Sequence, residues 1–224
     1  MIRRTRIPPL FLLAFLLVPC MAARADTDGG QDPVVSGGYR LFESTVASVD
    51  GRVLFRSDLL REACLLRCGA FPGDEPVGLP LAEVRERMIR QLLVLQEEEK
   101  LGLGQVDNAA LQEISAEAEA RVSACQDPCA RGIDPSAVHT YVKGRLVVRE
   151  FLRKRVAVFV EVSADEVRRE IERRVSRGDL AREAASEETV RAELFREKSA
   201  RAIRNWYDRE TSKSKIVRSP LEER

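Results

Sequence analysis

A chain of 224 residues with 33% charged and only 5% aromatic side chains suits solvated helices and argues against a β-sandwich. Its 37 basic residues nearly balance 36 acidic ones, so it lacks the net basic footprint of a nucleic-acid binder. The length allows one ordinary domain or two small ones.

Residues 1–25 have the plan of a secretory signal peptide. Arg3, Arg4 and Arg6 start it, a nine-residue apolar run from Leu10 to Val18 follows, and Ala23-Arg24-Ala25 supplies a small-x-small cleavage site. A spanning helix needs about 20 apolar residues, so this run is too short to anchor the chain. Cleavage after Ala25 is expected, with delivery to an oxidising compartment such as the periplasm. The rival is a lipoprotein acylated at Cys20, but Pro19 fits poorly before that cysteine. Residues 1–25 hold four Arg and no acid, so the remainder carries 33 basic against 36 acidic residues, a net −3. No other apolar stretch is long enough for a bilayer, so no stable membrane insertion is expected after cleavage.

Residues 26–43 open on the Gly- and Asp-rich DTDGGQDPVVSGG and read as a flexible leader. Val46 and Val49 precede Asp50-Gly51, and Val53 and Phe55 follow. Asp-Gly between β-prone runs predicts a two-residue hairpin, because both turn positions need positive φ. Ser57 is expected to cap the next helix through its hydroxyl, with Asp58 in the first turn. Leu59, Leu60, Ala63 and Leu66 form its expected apolar side. Residues 69–80, GAFPGDEPVGLP, are a loop. A long helix is expected from about Leu81 to Leu101, ended by Gly102. Val84, Met88, Leu92 and Leu95 stripe it, widened by Ile89 and Leu93, which suggests a central helix buried on several sides.

Asp107 opens another helix, carrying Leu111, Ile114, Ala118 and Val122. It must break near Gln126, because Asp127-Pro128 reads as a new N-cap with Pro at the first helical position. Asp134-Pro135 repeats that signal, and its helix carries Tyr141, Val142, Leu146, Phe151 and Leu152. VAVFVEV at 156–162 has valine at every second position. It reads as a strand, or as the end of that helix. Ser163 to Glu166 is a capping box opening a short charged helix. A polar linker, 175–186, separates this from a last helix, about Glu187 to Arg209, with Val190, Leu194, Ile203 and Trp206 inward. Ile216-Val217 in the tail is β-prone. The expected fold class is mainly α with a small N-terminal β-hairpin.

Candidate chemistry centres on two CxxxC pairs, Cys64/Cys68 and Cys125/Cys129. Removal of Cys20 leaves an even count, which favours two disulfides in an oxidising compartment. A Cys₄ zinc site is the rival. A thioredoxin-like site would need C-x-x-C. Cys64 and Cys68 stack on one helix face, which disfavours a bridge between them. An antiparallel approach of the two segments gives Cys64–Cys129 and Cys68–Cys125, the favoured set. A parallel approach gives Cys64–Cys125 and Cys68–Cys129, and a helix break at Pro128 keeps within-pair bridging open.

Other candidates have plainer readings. His139, the only histidine, suits a surface or half-buried position near a helix start. Glu97-Glu98-Glu99 suits a helical surface, since no opposing acid or base can be assigned. The basic, apolar-interleaved VKGRLVVREFLRKR at 142–155 suits a core helix with a solvated face, although membrane-surface and nucleic-acid helices share the pattern. Trp206-Tyr207 suits a core or edge anchor rather than a peptide-binding patch. No catalytic residue, cofactor or metal site is expected.

The order of VASVDGRVLFRSDL, LLVLQEEEKLGL, VDNAALQEISAEAEARV, GIDPSAVHTYVKGRLVVREFLRKRV and VSADEVRREIERR resembles the N-terminal domain of the SurA-type periplasmic chaperones, over residues 44–174. Residues 187–219 resemble that family's C-terminal helix and closing strand. The resemblance implies that the tail strand pairs with the edge near Thr45–Val49. It further implies a helical chaperone domain that binds unfolded secreted or outer-membrane polypeptides. The family's parvulin-type prolyl isomerase domains have no room in 175–186, although RGDL at 177–180 echoes a parvulin loop. Binding without catalysis is therefore expected. The alternative is a disulfide-stapled accessory subunit dedicated to one envelope partner.

Overall fold

In the computed structural model the described residues are 43–178 and 186–221. The expected signal peptide, the Cys20 acylation site, nearly all of the leader and the middle of the 175–186 linker lie outside them.

Asp50 (φ 49°) and Gly51 (φ 86°) both take positive φ, which matches their two-residue turn to the twist of the flanking strands. Strands β1 (Thr45–Val49) and β2 (Arg52–Phe55) therefore pair antiparallel, with Ser48 opposite Val53 and Val49 opposite Arg52. A register shift between Thr45 and Ala47 lets Val46 and Ala47 both turn inward. The far edge of β1 is taken by β3 (Ile216–Arg218), giving a sheet of order β2-β1-β3. The Asp50 N–H donates to Lys215 O (3.0 Å) and the Ser219 N–H to Val46 O (3.1 Å), extending this ladder at both ends. Ala47, Val49, Leu54 and Ile216 face Ile89 and Leu93 of α2 (Leu81–Leu101).

Helix α1 (Arg56–Arg67) leaves β2 without a linker, and this corrects the expected cap. Phe55 is the N-cap and makes no side-chain bond, so Ser57 already lies inside the first turn. Its N–H is one of the orphan donors of a helix start. It donates to Glu43 Oε1 at 3.2 Å, as does the Ser44 N–H at 3.1 Å. The expected apolar side is also corrected: Leu60 is exposed, while Glu62 and Leu65 are buried. The helix is covered on two sides. Leu59, Ala63 and Leu66 pack with Val46 and Val84, and Cys64 and Leu65 pack with Tyr141, Val142 and Leu146.

Helix α2 packs against β1, α1, α4 and α6. Gly102 ends it in the left-handed region at φ 64°. Its deepest residues are Val84, Ile89, Leu93 and Val94, while Met88, Leu92 and Leu95 are half-buried, so the buried stripe is rotated from the expected one. Contact with α4 and α6 draws Val94 into a cluster with Phe151 and Trp206.

Aspartate caps then punctuate the chain as expected. Asp107 opens α3 (Asn108–Ala124) by accepting from the Ala110 N–H at 3.0 Å. Asp127 opens a 3₁₀ turn (Pro128–Gly132), and Asp134 opens α4 (Pro135–Arg155). The 156–162 segment is not a strand. It forms a 3₁₀ turn over Ala157–Phe159 and then runs extended into α5 (Ala164–Arg177). Among the described residues no neighbouring strand is there to pair with it, and Val156 is instead drawn into the core beside Phe151. Ser163 and Glu166 form the expected capping box. Helix α6 (Glu187–Lys213) continues one turn beyond its expected end, packs on α5, and places Trp206 against Phe151 with ring centroids 5.7 Å apart.

Candidate functional site

The two cysteine segments meet because Cys64 and Cys68 end one helix and Cys125 and Cys129 flank a break. Cys68 is the C-cap of α1 and Cys125 the C-cap of α3. Asp127 Oδ1 accepts from the Cys129 N–H at 2.9 Å, and Asp127 Oδ2 accepts from Arg67 Nε at 2.7 Å. These bonds hold the Asp127 carboxyl below its ordinary range and lock the break against the end of α1. The structure joins Cys64 to Cys129 and Cys68 to Cys125, with Cα separations of 5.9 and 5.4 Å. This is the antiparallel set. Three of the sulfurs lie within 4.8 Å of one another because the bridges are adjacent. Bonded as disulfides they offer no thiolate, the form that attacks or ligates.

A charged junction lies beside this knot. Glu62 of α1 is 8% exposed, and its Oε1 is 3.5 Å from Arg87 Nε of α2. Neither atom has a hydrogen-bond partner. Burial raises the Glu62 pKa, against the opposing pull of Arg87 and Arg145. Burial also raises that of Tyr141, with Glu62 adding to the effect. Arg145 of α4 donates to Tyr141 Oη (3.0 Å) and to Asp74 Oδ2 (2.9 Å), with its guanidinium 4.6 Å from the Phe71 ring centroid. This arrangement fastens the 69–80 loop to α4. Sequence reasoning missed it, because nothing in local periodicity marks a glutamate as buried.

The remaining candidates each make contacts within the fold. His139 is half-buried, with Nδ1 3.1 Å from Ser115 Oγ. Ser115 is buried, so its hydroxyl is closed to a substrate and the pair ties α3 to α4. Glu97 pairs with Lys100 (2.5 Å), Glu98 Oε1 accepts from the Gly104 N–H (3.3 Å), and Glu99 takes both arms of Arg52. In the basic helix, Lys143, Arg149, Arg153 and Arg155 are exposed while Val142, Leu146 and Phe151 are in the core. Trp206 is a buried anchor, with Tyr207 edge-on to it at 5.1 Å. A described cleft on α2 is lined by charge, from Glu83, Glu86, Arg87 and Arg90 among others.

The outer face of the sheet differs from this charged surface. Val53 (42% exposed), Ser48 and Val217 (50%) lie in one row across the three strands, and Phe55 (42%) follows Val53 on the same side. Among the described residues nothing pairs with the outer edge of β2. Val49 and Arg52 flank the two-residue turn as a hydrogen-bonded pair. By alternation, the Val53 N–H and C=O point to that open edge. The face and the edge together offer an extended chain both apolar contact and unpaired backbone groups. Nothing in the sequence marked this face beyond the β-prone residues themselves. No protein-family model matches the chain, and no curated protein matches it.

Proposed function

We propose that the chain is a periplasmic chaperone that binds unfolded secreted or outer-membrane polypeptides without catalysis. The observation that carries this reading is the apolar outer face of the sheet beside the open edge of β2. An extended client segment would add alongside β2, exchanging backbone hydrogen bonds with Val53 and resting alternate side chains on Val53 and Phe55. Such a contact reads backbone and general apolarity, so it tolerates many sequences, with affinity of roughly micromolar per segment. The resemblance of 44–174 and 187–219 to the SurA-type chaperones supports the same reading. So do the two disulfides, which suit an oxidising compartment.

The test is suppression of aggregation of several unrelated unfolded outer-membrane polypeptides, comparing wild type with Phe55→Ser and Val53→Ser. Protection of all clients, weakened severalfold by either substitution, is expected. Capture of one partner alone, in a stable complex, would instead identify a dedicated accessory subunit.

A further inference from the structure

Val158 and Phe159, at 64% and 75% exposed, are the most exposed of the large apolar side chains among the described residues. They stand on the 3₁₀ turn between α4 and α5, and the turn is held from both sides. Before it, Val156 is buried beside Phe151 and Trp206. Within it, the Phe159 N–H donates to Val156 O (3.3 Å) and the Val160 N–H to Ala157 O (3.0 Å). After it, Arg191 donates to Val162 O (2.9 Å) and Lys198 to Glu161 O. A turn pinned at both ends cannot roll its apolar side chains inward.

Cations precede this tip directly. Arg153, Lys154 and Arg155 form the last turn of α4, with the exposed Arg149 one turn earlier. On the side of these cations the acid is Glu150, which is bonded to Arg153 and lies 4.0 Å from Lys154; beyond the tip stands the exposed Glu161, so three cations face two acids at the elbow. Arg155 makes no ion pair among the described residues. The geometry points to this elbow as a docking point for an anionic lipid surface. Phe159 and Val158 would enter the interface, and Arg153, Lys154 and Arg155 would lie at headgroup level. A lipid surface suits the site better than a polypeptide does. A side chain three-quarters exposed has no walls with which to enclose an extended segment, whereas an interface takes up a protruding tip. One apolar tip or one basic cluster binds membranes only marginally, and the elbow combines both signals. This inference does not depend on the chaperone reading.

The experiment is vesicle co-sedimentation of the chain beginning at Asp26, so that the apolar run Leu10–Val18 cannot itself bind lipid. Vesicles of phosphatidylethanolamine with one-third phosphatidylglycerol are compared with pure phosphatidylcholine. Binding to the anionic vesicles alone is expected, declining as salt is raised. Phe159→Ser and the pair Arg153→Gln, Lys154→Gln should each reduce it about tenfold, with the melting temperature unchanged for Phe159→Ser because Phe159 is exposed, and slightly lowered for the cation pair because Glu150 loses its partners. Equal binding by wild type and variants, or no wild-type binding, would overturn the inference. So would a Phe159→Ser variant that keeps its lipid binding but loses its protection of unfolded clients, since the tip would then be a polypeptide contact.

Discussion

Val49 in β1 stands opposite Ile216 in β3, so the sheet joins the first described strand to the last. The tail adds more than a ladder. Arg218 reaches Glu86 of α2 with two hydrogen bonds, of 2.8 and 2.9 Å, and Arg85 donates to Ser219 O at 2.7 Å. Deleting residues 213–224 removes all of these and leaves a two-stranded hairpin, which is marginal by itself. A loss of about 2 kcal/mol is expected, seen as a fall in Tm of about 4–8 °C by calorimetry. An unchanged Tm would show that the tail carries no stability.

The disulfides close loops with sequence separations of 65 and 57. Restricting the unfolded chain in this way is worth about 2–4 kcal/mol per bridge. The paired variants Cys64→Ser, Cys129→Ser and Cys68→Ser, Cys125→Ser should each lower stability by that amount in urea. Digestion of the unreduced protein and mass spectrometry should recover peptides linked 64–129 and 68–125. Free thiols, bound zinc or a 64–68 link would contradict the pairing.

Glu62 is a charged side chain buried among the described residues. Burial raises its folded pKa above the unfolded value. Its contribution is therefore fully present below the unfolded pKa and is lost as pH rises through the folded one. Glu62→Gln keeps the shape and removes the buried charge, while Arg87 stays partly exposed to water. The variant should melt about 2–4 °C higher than wild type at pH 8, for about 1 kcal/mol. That gap should narrow toward pH 5. A gap that widens on acidification would reverse the assignment.

The α5–α6 pair should respond to acid in the opposite sense. Lys198, with the Ser163 N–H, lowers Glu166 from the ordinary 4.5 to about 2, and Arg173 and Arg174 lower Glu170 likewise to about 2. Depressed carboxylates contribute stability above their unfolded pKa, and it is lost as pH falls from about 4.5 toward 2. Glu166 also closes the α5 capping box, and Arg174 reaches Glu193 of α6 at 2.5 Å. Hydrogen exchange should therefore show α5 and the first half of α6 opening between pH 4.5 and 2, before the region around Phe151 and Trp206. Simultaneous opening of both regions would rule out this local ionic control.

Short-range chemistry was legible in the sequence. Asp50-Gly51 marked its turn, Asp107, Asp127, Asp134 and Ser163 marked their caps, and Gly102 ended α2, because each of these acts on backbone groups within a few residues. The spacing of the four cysteines likewise restricted their partners, since Cys64 and Cys68 point in parallel from one helix face. The tertiary structure decided what depends on segments far apart. It buried Glu62 and Leu65 and exposed Leu60, because α1 is covered from two sides. It gave the first turn of α1 to the Glu43 carboxylate instead of the Ser57 hydroxyl, because the helix springs directly from β2. It denied 156–162 a strand, since alternation makes a strand only where an edge is available for pairing. The hydrophobic pattern states which residues seek cover, and only the packing of distant elements determines which of them, like Phe55 and Phe159, are left without it.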